Sequence, residues 1–276
     1  GRIARPAPRR TVSHREAPVA PVAPGAVEAP AAGAVSVGPV GSADTREVSW
    51  ELSVADQPWW RDHSFYEQPP GWPCLEDEFP LVPMTGIIEM LADEAEALVP
   101  GTVAVRVESI RAFRWLAVEP PASVAVRAVI DHDATAAAPA GTTVVKTSVE
   151  GHARAVVHVA AVHPPSPEPA AGPVHGEIPV PVAPERIYAE RHLFHGPEYQ
   201  GIRSLHFGTD GVTGRLASQT APGALLDNAG QLFGLWMATR VDRDRLVLPT
   251  SIDRISFYGP RPDAGTPVDC VVNCTS

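Results

Sequence analysis

Two stretches of this sequence hold residue types and spacings suited to acid–base chemistry. The first runs from Asp62 to Gly86: His63 follows the aromatic pair Trp59-Trp60, and Pro83-Met84-Thr85-Gly86 then opens an apolar run. Neutral imidazole is a usable general base near physiological pH. The second stretch is Pro222 to Met237, where Asp227 stands among Leu225, Leu226 and Phe233 and Gln231 follows it four residues later. Residues four apart share a helix face, so the amide of Gln231 can hydrogen-bond and orient the carboxylate. A carboxyl among apolar neighbours resists ionising, so the expectation is that Asp227 acts as a general acid.

Both groups need a rigid element to carry them. Met84 to Leu98 has no Gly or Pro after Gly86 and predicts a helix of about four turns, with Pro83 at its start, where the missing N–H costs little. The amides of Thr85, Gly86 and Ile87 are then expected to be free at the positive end of the helix dipole, where they suit a developing oxyanion, and Gly86 is expected to let a ligand come close. Ala224 to Thr239 predicts a second helix of similar length.

Around these helices the chain alternates as half-buried strands do. Val48, Trp50, Leu52 and Val54 alternate with Ser49, Glu51 and Ser53, and further strands are expected at Val103–Trp115, Ser123–Ile130, Thr142–Glu150 and His152–Val162. A low-complexity run from His163 to Pro184 separates a second unit with the same order. That unit holds a short helix near Pro184–Arg191, strands near Ile202–Phe207 and Val212–Ser218, the helix carrying Asp227, and strands at Leu246–Tyr258 and Pro267–Asn273. The expected organisation is an Ala/Pro-rich interdomain linker at 1–46, a first unit at 47–162, a linker at 163–183 and a second unit at 184–276.

Three groups of residues, in this order, resemble signatures of the dehydratase domains of type I polyketide synthases and fatty-acid-synthase-like megasynthases. They are His63 with the Pro83-Met84-Thr85-Gly86 helix start, His195-Gly196-Pro197-Glu198-Tyr199-Gln200-Gly201, and Asp227 to Gln231. The resemblance spans about Glu47 to the C-terminus. Three departures accompany it. Glu67 stands where the family has Gly, with a Pro-rich insert Gln68-Pro69-Pro70-Gly71-Trp72-Pro73 after it; His195 stands where the family has Tyr; and few strands follow Tyr258.

The resemblance implies an α+β double hotdog, two antiparallel sheets each wrapped around a central helix, with the second hotdog incomplete. It implies dehydration of a 3-hydroxyacyl thioester, carried on the phosphopantetheine of an acyl carrier protein, to the 2,3-unsaturated thioester. His63 is then the base and Asp227 the acid, with Gly86, Thr85 and Gln231 in support. His195, Pro83, Tyr199 and Trp72 border the substrate channel or back the catalytic pair. Acyl carrier protein and neighbouring synthase domains are the implied partners, with a homodimer expected by resemblance alone. Related double hotdogs act as product-template-like cyclases or pyran-forming domains, and a silent dimerisation platform is a further alternative on the same frame.

Composition bounds the rest. Hydrophobic residues at 44% suffice for a core, and no run approaches the ~20 apolar residues of a membrane span. Residues 1–46 carry six Arg against three acids, net +3, so the remainder holds −13 of the total −10; an acidic body argues against nucleic acid as a partner. Cys74, Cys270 and Cys274 complete no zinc set, so no metal is expected, and the chemistry that the resemblance implies requires no other cofactor. With no signal segment at its start, the chain reads as cytoplasmic.

Overall fold

A computed structural model describes residues 35–40, 42–168, 174–180, 182–240 and 248–274. Among them the elements run β1 (Val35–Val40), β2 (Thr45–Leu52), a 3-10 turn (Pro58–Asp62), β3 (Leu81–Val82), α1 (Met84–Leu98), β4 (Val103–Ala112), β5 (Leu116–Ala117), β6 (Ala122–Ile130), α2 (His132–Ala137), β7 (Thr142–Val149) and β8 (Ala153–Ala160). Then follow β9 (Ile178–Pro179), α3 (Pro184–Ala189), a second 3-10 turn (Pro197–Tyr199), β10 (Ile202–Phe207), β11 (Gly211–Ala217), α4 (Ala224–Ala238), β12 (Ser251–Ser256) and β13 (Pro267–Asn273).

The mixed α+β architecture has two larger antiparallel sheets, each packed on one long helix, and a short antiparallel pair of β3 with β5. The larger sheet has the order β1-β2-β6-β7-β8-β4-β12 and lies against α1; the smaller has the order β13-β11-β10-β9 and lies against α4. Period-two alternation puts Val48, Trp50 and Leu52 of β2 and Ala153, Ala155, Val157 and Val159 of β8 on the buried face. In α1 the buried residues Ile87, Ile88, Leu91, Ala92 and Ala95 recur with the helical period, and Gly86 and Met90 are buried beside them. Full burial of each large side chain contributes roughly 1.5–3 kcal/mol, and Trp50, Leu91 and Ile110 are all about 1% exposed or less.

Three elements lie where the sequence pointed elsewhere. Val35–Val40, within the stretch expected as linker, pairs antiparallel with β2, and β9 falls within the second expected linker. β12, expected in the second unit, instead pairs with β4 and closes the edge of the larger sheet. Alternation identifies a strand but not its neighbour. β12 and α4 therefore tie the two halves together: Ile252 and Ile255 pack on the first core, as does Leu226, while Leu225 packs on the second. No helix of the described residues is long and apolar enough to cross a membrane.

Candidate active site

His63 is the residue after the first 3-10 turn, where its amide donates to the Trp60 carbonyl (3.1 Å) and its carbonyl accepts from Leu81 (3.2 Å). Trp60, 1% exposed, anchors the turn in the core, so the backbone delivers the imidazole to a fixed place. His195 comes from the loop between α3 and the second 3-10 turn. Its ring stacks on Phe194 (centroids 4.0 Å, planes 21° apart), and Gln200 Nε2 donates to its carbonyl (2.8 Å).

One contact holds these two loops side by side. The Gly196 amide donates to the Asp62 carbonyl (2.7 Å), and the Glu198 amide donates to Asp62 Oδ2 (2.9 Å). A Cβ on Gly196 would stand 2.5 Å from Asp62 Oδ1, so only glycine permits this approach. The His63 and His195 rings consequently lie 5.2 Å apart, with Tyr199 5.4 Å from His63.

Asp227, in the first turn of α4, sits between the imidazoles. Its Oδ1 is 3.9 Å from His63 Nε2 and its Oδ2 is 3.2 Å from His195 Nε2; all three side chains are nearly buried. Gln231 Nε2 donates both to Asp227 Oδ2 (2.8 Å) and to the Tyr199 carbonyl (2.9 Å), and its Oε1 accepts from the Tyr188 hydroxyl (2.8 Å). The two outer partners fix which end of the amide faces the carboxylate.

Burial pushes His63 down to about 4, against a smaller upward pull from Asp227, so its imidazole is neutral near pH 7. Burial alone would raise Asp227, but the hydrogen bond and charge of His195, then His63 and Gln231, offset this and hold its carboxyl below the usual range. The expected protonated acid is thus a carboxylate. The apolar neighbours that suggested otherwise face elsewhere: Leu225 and Leu226 turn to the two cores and Phe233 is 37% exposed. The first turn of a helix favours the same negative charge.

The helix starts also differ from expectation. Ile87 N–H is not free, since it donates to the Pro83 carbonyl (3.0 Å). The space expected for a ligand at Gly86 is taken by the chain itself. A Cβ there would meet Pro222 O at 3.2 Å, and Gly223, at φ 73°, approaches so closely that its own Cβ would lie 2.2 Å from Gly86 N. The N-termini of α1 and α4 therefore abut. Glu89 Oε2 accepts the Gly223 amide (2.6 Å), Glu89 also pairs with Arg261, and Arg261 Nη2 donates to the carbonyls of Gln219, Thr220 and Ala221.

Of the other expected residues, Pro83 caps α1 and is buried, and Thr85 Oγ1 is buried with no partner among the described residues. Tyr199 is fully buried, with its hydroxyl donating to Pro222 O (3.2 Å). Trp72 is 49% exposed and donates to Asp77 Oδ2 (2.6 Å), on the surface of the insert. Glu67 is exposed and lies 3.5 Å from Arg191 of the second half. Sequence reasoning missed Asp62, Tyr188, Glu89 and Arg261, which share no short spacing with the residues they hold. The only signal was Gly196 beside His195.

Among the described residues, His63, His195 and Asp227 form a group whose nitrogen and oxygen atoms lie within 4.8 Å of one another. The types suit a metal, but the surroundings do not. A metal-bound imidazole normally donates its other N–H to an acceptor. Here Nδ1 of both histidines is buried without a partner among the described residues. The group fits a hydrogen-bonded carboxylate.

The family described as polyketide synthase dehydratase N-terminal domain matches residues 166–276. No curated protein sequence matches the chain. Solved structures similar to it include the dehydratase domain from the CurK module of the curacin polyketide synthase, at 17% identity and a TM-score of 0.61 over 86% of each chain. The dehydratase domain from the CurF module is 16% identical, with a TM-score of 0.59 over 87% of this chain and 86% of that one. The dehydratase domain of a mycocerosic acid synthase-like polyketide synthase is 16% identical, with a TM-score of 0.55 over 78% and 76%. Two further matches, each 18% identical with a TM-score of 0.58, are His-to-Phe and Asp-to-Asn variants of the CurK dehydratase, both described as inactive; they cover 85% of both chains and 87% and 86%, respectively. At these identities the likeness is one of fold. The chain resembles polyketide synthase dehydratase domains in sequence over 166–276 and in fold over most of its length.

Proposed function

We propose that this chain, with the fold of a polyketide synthase dehydratase domain, is itself a dehydratase that removes water from a 3-hydroxyacyl thioester to leave the 2,3-unsaturated thioester. Its two sheet-and-helix units are read as a double hotdog, with the catalytic residues meeting between α1 and α4. The observation that carries the reading is the Asp227 carboxylate between two buried imidazoles, 3.9 Å from His63 and 3.2 Å from His195. In the CurK dehydratase, which shares the fold, a single His and a single Asp change are each described as inactivating.

His63 is neutral and buried, and it takes the proton from C2 of the substrate. The imidazolium that forms is met by the Asp227 charge, which favours the proton-transfer step over the resting state. The C3 hydroxyl leaves on the Asp227 side with a proton from that side of the site. Positioned acid–base groups of this kind each contribute typically ~10²–10⁴-fold. Gln231, fixed by Tyr188 and the Tyr199 carbonyl, keeps the carboxylate in place. The substrate is tethered to an acyl carrier protein, and neighbouring synthase domains supply and consume it; the route uses no metal and no dissociable cofactor.

The test is to incubate the folded chain with a 3-hydroxyacyl pantetheine thioester and follow the absorbance of the conjugated enoyl thioester. Its appearance with the parent chain and loss with His63→Ala supports the reading. A folded parent that leaves the substrate unchanged contradicts it.

A further inference from the structure

His195 occupies the site with more chemistry than a packing role uses. One ring nitrogen, Nε2, lies 3.2 Å from Asp227 Oδ2, while the other, Nδ1, is buried without a partner among the described residues. Stacking on Phe194 fixes the plane of the ring. The signature this loop resembles has a tyrosine here, and a phenol presents one polar atom. An imidazole presents two, on opposite sides, so it can hold a carboxylate with one and reach a substrate with the other. The same arrangement recurs across Asp227, where His63 presents Nε2 to the carboxylate and leaves Nδ1 unpartnered among the described residues.

Asp227 itself is poorly placed as a proton source. Its oxygens face Gln231 N–H and two imidazoles, all of which favour the anion. Resting on the dehydratase reading, we propose that His195, not Asp227, is the catalytic residue that protonates the departing hydroxyl. His195 starts as imidazolium, with Nε2–H on Asp227 and Nδ1–H toward the C3 oxygen. His63 takes the C2 proton, and the electron pair of that C–H bond forms the C2–C3 double bond. The C3–O bond breaks, and its oxygen takes the Nδ1 proton and leaves as water. His195 ends neutral and His63 ends as imidazolium, so the trio carries the same net charge before and after, with the carboxylate beside whichever ring is cationic. One proton returning from His63 to His195, through solvent, resets the site.

The titratable groups whose side chains lie against His195 are Asp227 on α4, His63 from the first loop and Tyr199 from the second 3-10 turn. Asp62 touches Gly196 rather than the ring, and burial raises the Tyr199 phenol well above its usual range. His63 and Asp227 are therefore the partners whose charge His195 exchanges with.

The experiment is the pH dependence of water loss from a 3-hydroxyacyl pantetheine thioester by the parent, His195→Gln, His195→Tyr and His63→Ala. Glutamine keeps an N–H on Asp227 but cannot release a proton. The expected result is a rate for His195→Gln lower by ~10²-fold or more at a KM within a few-fold, and loss of the parent's decline at alkaline pH. His195→Tyr is expected to regain part of the rate, with that decline moved to higher pH because a phenol titrates near ~10. His195→Gln within threefold of the parent, with the same profile, overturns the role. Should that variant not fold, His195→Tyr decides, an unchanged profile again overturning it. Activity abolished by His63→Ala but untouched at His195 defeats this inference alone; no water loss from the parent defeats the dehydratase reading and this role with it.

Discussion

Asp62 and Gly196 are 134 residues apart in sequence and touch through backbone: the glycine amide donates to the aspartate carbonyl at 2.7 Å. Each is the chain neighbour of a site histidine, so this one bond sets His63 beside His195. The glycine is required by space, since a Cβ would stand 2.5 Å from Asp62 Oδ1 and 2.9 Å from Asp62 Cβ.

Gly196→Ala is therefore expected to push the two loops apart. Crowding of this kind costs about 1–3 kcal/mol, and the activity loss should exceed what the fall in folded fraction explains. A urea midpoint measured with the rate at a temperature where both proteins are fully folded separates the two effects.

Gly230→Ala makes the opposite case on α4, three residues beyond Asp227. Gly230 is exposed and a Cβ would meet nothing within 4 Å. Alanine there should stabilise the chain by roughly 0.5–1 kcal/mol through helix propensity, with the rate unchanged. A lower urea midpoint would show that α4 is packed differently.

Tyr188→Phe removes the donor that fixes the Gln231 amide, leaving a buried Oε1 without its hydrogen bond. An unmade buried hydrogen bond costs about 1–3 kcal/mol. If part of that loss appears as misorientation of Asp227, kcat should fall roughly tenfold with KM little changed. Restoration of kcat in a variant that also changes Gln231 to Leu would argue that the amide never oriented the carboxylate.

Acid should loosen the fold through His63. Its ring is held down to about 4 by burial, against an ordinary 6.5, so the unfolded chain binds the extra proton between these values. The stability this neutral ring allows is complete above about pH 6.5 and is lost as pH falls through about 4, a loss on the order of 3 kcal/mol. His63→Phe should flatten that part of the stability–pH curve, measured as urea midpoints from pH 7.5 to 4. A curve of the same slope in both proteins would assign the acid sensitivity to other groups.

The sequence was most legible where one element decides its own fate. Pro83, the apolar period and the absence of later glycine bound α1 at Met84–Leu98, and alternation located β10 and β13. It was least legible where a partner lies far along the chain. Nothing in Ser251–Ser256 shows that its neighbour is β4, and the Val/Gly composition of Val35–Val40 conceals an edge strand. The site followed the same rule. His63, Asp227 and Gln231 stood out by type and spacing, but the ionisation of Asp227 depends on His195, 32 residues away, and its apolar sequence neighbours point to the two cores. Gly86 by itself suggests room for a ligand, whereas the loop before α4 fills that room.

The most direct test of the central claim is mass spectrometry of a 3-hydroxyacyl group on its carrier protein after incubation with the parent chain, His63→Ala and Asp227→Asn. Loss of one water with the parent, and rates lower by ~10²–10⁴-fold with each variant, is the expected result. Water loss by a folded His63→Ala or Asp227→Asn at the parent's rate would contradict it, because the chemistry would then lie outside the carboxylate and imidazole that the fold brings together.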